Sequence, residues 1–299
     1  MISRRIVLQA PLALAAEGIA RAQSGLMTLA LHQNTSLAAG YRGSLEGWAR
    51  AGIRHVELVA EHVDEFVKGE SLPAARRVLT DLGLTPVNAA TRVNGLWEPN
   101  PAHAAALDQL KRRCEMFAAL GLPSVYSPTG TTGMFTEDDY KVAVDNMRAV
   151  GDVARQFGLR AMVEAVRGST FISTLPTLLK LTRAAAHPNL APLVDCYHFW
   201  SGLSKLEDLD ALRQGEVGHV HYQDVPDVPR ELLDSTTRII PGDGIAPLTT
   251  ILRKLADKGY RGSLSVELFL PRFREGDPYE VAREIRQKGE AVMRSAGVL

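Results

Sequence analysis

The sequence predicts a single (β/α)8 barrel, and three observations lead to that prediction. Short apolar runs alternate with amphipathic helical patterns, and eight such runs are present, at 27–31, 55–58, 85–89, 124–127, 160–164, 191–195, 219–222 and 263–268. Eight strands that alternate with helices are typical of this fold. Several helical patterns end in glycine, as at Ala51-Gly52 and Phe157-Gly158. Glycine there adopts the left-handed conformation that turns the chain into the next strand. Residues 23–299 also match the fold's typical length of about 250 residues.

Helical patterns fill the intervals between the predicted strands. They lie at 45–51, 72–82, 102–120, 137–157, 174–186, 206–213 and 247–258. A doubly wound open sheet is the structural alternative, and it requires a glycine-rich phosphate loop after the first strand. The first strand here leads into His32-Gln33-Asn34-Thr35, which contains no glycine. The sequence therefore favours the barrel, with residues 23–299 as one domain.

The composition limits the classes of partner. Hydrophobic residues make up 45% and charged residues 23% of the 299 residues, which is ordinary for a globular enzyme. Lysine plus arginine and aspartate plus glutamate number 34 each, so no net charge attracts nucleic acid or an anionic membrane. Cys114 and Cys196, the two cysteines, provide neither a disulfide framework nor a zinc knuckle. A small-molecule partner is expected, and a homo-oligomer is compatible with this composition.

The first 22 residues have the pattern of a cleaved export signal. Residues 3–9 read Ser-Arg-Arg-Ile-Val-Leu-Gln, a twin-arginine motif, and an apolar stretch follows at 10–16. Residues 20–22 read Ala-Arg-Ala, which is a cleavage signal before Gln23. The apolar stretch is shorter than the ~20 residues that span a bilayer, so no stable membrane anchor is expected. The predicted location is the periplasm, or the cytoplasm if the signal does not function.

Four consecutive strands end in a residue that can bind a metal ion. Glu164, Asp195, His221 and Glu267 follow the apolar parts of the fifth, sixth, seventh and eighth predicted strands. Carboxyl ends of barrel strands meet on one face, where catalysis occurs in this fold. Three carboxylates and one imidazole suit one divalent ion, Mn²⁺, Mg²⁺, Co²⁺ or Zn²⁺, and the ligand types do not distinguish among these.

Each of these residues also has a simpler structural interpretation. An acid at a strand end often caps a helix or pairs with an arginine. His219 lies on the same side of its strand as His221, because side chains alternate along a strand, and it competes for the ligand role. The residues after Asp195 are expected to form a loop, from which His198 could contact substrate or metal. The recurrence on four neighbouring strands favours the metal site.

The C-terminal half also contains motifs that resemble a known family. They are Asp195-x-x-His198-Phe199, His221-x-x-Asp224-x-Pro226-Asp227-x-Pro229, Arg238-x-x-Pro241-Gly242-x-Gly244 and Ser265-Val266-Glu267-Leu268-Phe269. Together they resemble the xylose isomerase-like TIM barrels, the sugar phosphate isomerases and epimerases, and within these the 2-keto-myo-inositol (inosose) isomerases. The resemblance is dense from about 160 to 283 and only architectural before that.

The resemblance implies roles for particular residues. It implies metal ligation by the four strand-end residues and proton exchange with the substrate by Glu164 and Glu267. It also places Arg238 in a loop that holds substrate oxygens. His198 and Trp200 are further candidates for contact with the substrate, Trp200 as a wall of the pocket.

The expected function is that of a metal-dependent isomerase or epimerase of a keto-sugar or keto-inositol. A divalent ion chelated by a carbonyl and a neighbouring hydroxyl acidifies the C–H bond and stabilises an enediolate, and two carboxyl groups move the proton. Return of the proton to the neighbouring carbon isomerises the substrate, and return to the opposite face epimerises it. Loss of a β-leaving group would instead make the enzyme a lyase or dehydratase of a 3-keto-glycoside or inosose, an outcome that export favours.

Two other interpretations use the same barrel. An abasic-site endonuclease would be expected to have more ligating histidines and a basic groove, and the zero net charge argues against it. A non-catalytic periplasmic sugar-binding barrel would bind a sugar without exchanging its protons, and the full ligand set argues against that interpretation.

Overall fold

The computed structural model describes residues 27–299, which form a closed barrel of eight parallel strands in sequential order. The strands are β1 (Thr28–His32), β2 (His55–Val59), β3 (Thr85–Ala90), β4 (Ser124–Pro128), β5 (Arg160–Glu164), β6 (Leu190–Asp195), β7 (His219–His221) and β8 (Ser263–Val266). Closure comes from β1 and β8, which pair in register from Thr28 opposite Ser263 to Leu31 opposite Val266. The predicted fold class is therefore confirmed.

Helices surround the barrel of strands. They are α1 (Gly40–Arg50), α2 (Ala60–Gly69), α3 (Leu72–Asp81), α4 (His103–Ala119), α5 (Glu137–Gln156), α6 (Leu175–Ala185), α7 (Cys196–Ser201), α8 (Leu248–Asp257), α9 (Pro271–Arg274) and α10 (Pro278–Ala296). Six of them lie in predicted intervals, whereas α2, α7, α9 and α10 of the described residues were not predicted. Three 3₁₀ helices lie at Gln33–Ala39, Leu206–Ala211 and Arg230–Leu232. In α8 the buried residues are Leu248, Ile251, Leu252 and Leu255, the spacing of a helix with one apolar face.

The structure corrects some predicted boundaries. The helix predicted at 206–213 is the shorter 3₁₀ helix Leu206–Ala211, and the strands predicted to reach 222 and 268 end at His221 and Val266. The stretch after Asp195, predicted as a loop, forms the short helix α7. Asp195 caps this helix, because its side chain accepts the backbone N–H of His198 at 2.7 Å. The cap changes the direction of the chain immediately after the sixth strand.

Two apolar clusters support the strand ends. The larger one joins the strands to the surrounding helices. The smaller one consists only of strand side chains, among them Val59, Tyr126, Met162 and Leu193, and we assign it to the barrel interior because side chains alternate across the sheet. Within residues 27–299 no helix combines the length and hydrophobicity needed to cross a membrane. The predicted signal, residues 1–22, lies outside the described residues, as does the start of the predicted domain at 23.

Candidate metal centre

The four predicted ligands meet at the carboxyl end of the barrel. One donor atom from each of Glu164, Asp195, His221 and Glu267 lies within 4.8 Å of the others, and all four side chains are buried. They come from β5, β6, β7 and the position directly after β8. Asp195 stands opposite His221 in the strand register, which brings these two ligands side by side.

The donor set fits a divalent cation. Nδ1 of His221 lies 3.0 Å from Oε1 of Glu164 and 3.5 Å from both Oδ2 of Asp195 and Oε2 of Glu267. Nη1 of Arg238 contacts Glu267 and lies 3.2 Å from Oδ2 of Asp195. Three buried carboxylates require positive charge close by, because removing an ion from water costs several kcal/mol, as an order of magnitude. One histidine nitrogen and three carboxylate oxygens are a suitable set for a divalent ion such as Zn²⁺ or Mn²⁺.

Asp195 lies among the metal ligands, and it also caps a helix and pairs with an arginine. Its Oδ1 caps α7, whereas Oδ2 accepts a hydrogen bond from Nε2 of Gln223 at 2.6 Å and faces Arg238. Burial by itself would raise the pKa of Asp195, but the guanidinium of Arg238, followed by the neighbouring His198 and His221, outweighs it and holds that pKa well below its usual range. The residue is therefore ionised, as a metal ligand must be.

The two glutamates differ in their electrostatic surroundings. Burial raises the pKa of Glu164 to about 7, although His221 opposes this shift. Burial acts on Glu267 in the same direction, but His32 and Arg238 outweigh it and lower the pKa of Glu267 to about 2. Nδ2 of Asn34 also donates to Oε1 of Glu267 at 2.8 Å. Among the protein's own charges, Glu267 is thus held ionised and Glu164 is the more easily protonated.

Two of the three predicted substrate contacts lie beside the ligands. Arg238 and His198 are buried, and Nη2 of Arg238 lies 2.7 Å from Nε2 of His198. Burial lowers the pKa of His198 to about 4, so its neutral ring accepts this hydrogen bond. Trp200 is half-buried at the end of α7 and lines a different cavity, of about 560 Å³, together with Lys205 and Arg230. The structure therefore groups His198 and Arg238 with the ligands and places Trp200 apart from them.

Asp224 organises the loop that carries Arg238. Its buried carboxylate accepts four backbone N–H groups at 2.8–3.1 Å, from Val225, Gly242, Gly244 and Ala246. The backbone of Asp224 also exchanges hydrogen bonds with Ile239, the residue after Arg238. A Cβ at position 244 would lie 2.2 Å from the carbonyl oxygen of Val225, so only glycine fits there. The glycine-containing turn thus fixes the loop against the barrel.

Behind the ligands lie His219, predicted as a competitor for the ligand role, and several residues that the sequence did not predict. His219 lies one layer below His221, with Nε2 3.0 Å from Oε2 of Glu57, and does not belong to the group of four. The unpredicted neighbours of the ligands are Asn34 and Tyr126 from the N-terminal half, and Gln223, two residues after His221. One signal was available: Glu57 is an acid inside the otherwise apolar run of β2. Such a residue is buried only with partners.

Comparison with known proteins identifies the family. The model of the xylose isomerase-like TIM barrel matches residues 45–290. The chain belongs to this family. The inosose isomerase of Halalkalibacterium halodurans is 24% identical over 254 residues, which cover 83% of this chain and 89% of the relative. The 3-dehydroshikimate dehydratase of Pseudomonas putida is 29% identical over 173 residues, 56% of this chain and 27% of the relative.

A solved structure agrees with the barrel. The IolI protein, crystallised with a bound zinc atom, superposes with a TM-score of 0.84 at 21% identity, over 90% of this chain and 99% of that one. The predicted family and its likeness to inosose isomerases are confirmed by these matches. One of these two relatives is thus an isomerase of an inosose, and the other is a dehydratase of 3-dehydroshikimate.

Proposed function

We propose that this protein is a divalent-metal-dependent isomerase or epimerase of a keto-sugar or keto-inositol. The arrangement of the two glutamates carries the proposal. Glu164 and Glu267 come from β5 and the end of β8, on either side of the strands that bear Asp195 and His221. Two proton-transfer groups thus flank one cation site, as reversible proton movement at a carbon requires.

The residues of the site have separate tasks in this proposal. Glu164, Asp195, His221 and Glu267 would hold the ion, which supplies Lewis-acid polarisation of a substrate carbonyl. One glutamate takes the proton from the carbon beside that carbonyl, and the other returns a proton. Nη2 of Arg238 lies 2.7 Å from Nε2 of His198, which leaves the N–H of Nδ1 on the neutral His198 ring to donate. Arg238 and this Nδ1 donate hydrogen bonds to substrate oxygens and orient them.

Hydrogen exchange from heavy water tests the proposal. Purified protein with Mn²⁺ or Zn²⁺ should incorporate deuterium at carbon into at least one of a panel of ketoses, inososes and 3-keto-glycosides. Glu164→Gln and Glu267→Gln should each lower the exchange rate by roughly 10²–10⁴-fold. Glu115→Gln, on the exposed surface of α4, is the matched control and should retain the wild-type rate. Absence of exchange over the whole panel, or full exchange by both active-site variants, would refute the proposal.

Dehydration is the second candidate, and the match to a 3-dehydroshikimate dehydratase favours it. Removal of the same proton followed by loss of a β-hydroxyl group gives an unsaturated product. A product lighter than the substrate by one water, found by mass spectrometry, would establish this reaction. An isomer of unchanged mass would exclude it for that substrate.

We also propose that the protein is exported to the periplasm. The support is the twin-arginine motif at 3–9 followed by the cleavage signal at 20–22. Intact mass of the periplasmic protein should correspond to a chain that begins at Gln23. Replacement of both Arg4 and Arg5 by lysine should leave the protein uncleaved in the cytosol. Uncleaved wild-type protein in the cytosol would contradict export.

A further inference from the structure

Glu57 is completely buried, and β1 and β8 separate its strand from that of the ligand histidine His221. It belongs to β2, whereas His221 belongs to β7, so their contact crosses the barrel interior. Oε1 of Glu57 lies 3.3 Å from Nε2 of His221 and accepts a hydrogen bond from Nδ2 of Asn88 at 2.7 Å. Oε2 lies 3.0 Å from Nε2 of His219. Both oxygens of Glu57 are thus engaged.

We propose that Glu57 is a positioning residue for the metal site, because it fixes the ring nitrogen that His221 presents to the ion. A neutral imidazole carries one proton, and the hydrogen-bond acceptor behind the ring determines which nitrogen carries it. Glu57 can only accept, so it keeps the proton of His221 on Nε2. Once the ring is neutral, Nδ1, the nitrogen that faces Glu164, Asp195 and Glu267, has its lone pair free for the ion.

Neighbouring strands hold Glu57 in the position that this role requires. Asn88 on β3 donates to Glu57 and accepts from Oγ of Ser124 on β4 at 2.9 Å. His219, two residues before His221, occupies the other oxygen of Glu57. A carboxylate with defined donors on both oxygens has little freedom to rotate. The same contacts explain why His221, and not His219, reaches the ligand group.

A second ion between the histidines is the alternative use of these residues. Donor atoms of His32, Glu57 and His221 also lie within 4.8 Å of one another. However, Glu57 already accepts from Asn88, and Nε2 of His32 lies 3.0 Å from the hydroxyl of Tyr126. These contacts favour a hydrogen-bond network and one ion per chain.

Metal binding to the full chain tests the proposal, which rests on the metal site of the proposed function. Calorimetric titration of metal-free protein with Co²⁺ should give one ion per chain. Glu57→Leu should weaken Co²⁺ binding by roughly 10–100-fold, the usual effect of removing the group behind a ligand histidine. It should also shift the visible absorption bands of bound Co²⁺. Glu57→Gln retains an acceptor and should recover most of the affinity.

Glu115→Gln, which makes the same carboxylate-to-amide change on the exposed surface of α4, is the control. It should bind Co²⁺ with near wild-type affinity, and its bands should not move. Wild-type affinity and an unchanged spectrum in both Glu57 variants would overturn the proposal, and so would two ions per wild-type chain. Failure of the wild-type protein to bind any divalent ion would instead refute the metal site itself. Deuterium exchange by the wild-type protein tests the proposed function separately, and its result does not depend on whether Glu57 positions His221.

Discussion

The two halves of the barrel contribute different kinds of residue to the same site. Strands β5 to β8 and the loop after β7 supply the four ligand residues and Arg238, which are charged or metal-binding groups. Strands β1 to β4 and their loops supply residues that hold those groups, such as Asn34, Tyr126 and Glu57. The difference shows that residue type can identify the chemical half of a site, whereas contacts are needed to identify the supporting half.

Removal of an arginine should reduce stability by different amounts in the two halves. Arg238→Ala removes the buried cation beside Asp195 and Glu267, so the metal-free protein should lose about 3–5 kcal/mol of stability. Divalent ions should bind more tightly to this variant, because the guanidinium no longer competes for the carboxylates. Arg92→Ala, in the other half, removes an arginine that pairs with the exposed Glu61 and donates to Oδ1 of Asn34, and should cost less, about 1 kcal/mol. Urea unfolding measures the stability of each variant, and its repetition with Mn²⁺ measures the stabilisation by the ion. Equal losses of stability in the two variants would contradict this difference between the halves.

Replacement of a ligand should weaken metal binding more than replacement of a residue that supports a ligand. Asp195→Ala removes a ligand and should weaken Mn²⁺ binding by more than about 100-fold, since loss of a supporting group alone costs 10–100-fold. Asn34→Ala removes one hydrogen bond to Glu267 and should have a much smaller effect. Calorimetric titration measures both affinities. Comparable losses of Mn²⁺ affinity in the two variants would mean that the two halves contribute equally to metal binding.

The affinity for metal should rise with pH. Burial would lower the pKa of His221, but Glu57 and Glu164 outweigh it and raise that pKa well above its ordinary value. Below this pKa an ion must displace a proton from the ring, so affinity falls as the pH falls, by up to about tenfold per pH unit for each proton displaced. Titrations in buffers of different ionisation enthalpy count the protons released. Binding without proton release between pH 6 and 8 would contradict this assignment.

The smallest effect is expected from Tyr126→Phe in the supporting half. The hydroxyl lies 3.3 Å from Oε1 of Glu267 and 3.0 Å from Nε2 of His32. Its loss should cost about 0.5–1.5 kcal/mol of stability and change metal affinity little. Thermal unfolding and a Co²⁺ titration measure the two quantities. A loss of metal affinity as large as that of Asp195→Ala would place Tyr126 among the ligands.

Local sequence features determined the barrel and its four metal-binding residues. Apolar runs of strand length, helical periodicity and glycine stops depend on neighbouring residues, so they can be recognised without long-range contacts. The ligands Glu164, Asp195, His221 and Glu267 could be predicted because barrel topology brings consecutive strand ends to one face. The export signal, outside residues 27–299, stays a prediction.

The sequence predicted His221 as the ligand and left His219 as a competitor, and the contacts between distant strands separated the two and showed what supports His221. His219 and His221 share one side of β7, so alternation makes both candidates, although His219 comes earlier on the strand and is expected one layer deeper. The contacts with Glu57 that separate them join residues more than 160 positions apart, and they depend on the relative stagger of β2 and β7 across the barrel. The position of Trp200 likewise depends on α7, the helix that Asp195 caps. Local patterns in the sequence therefore identified the four ligands, and contacts across the barrel interior determine how the ligand histidine is oriented.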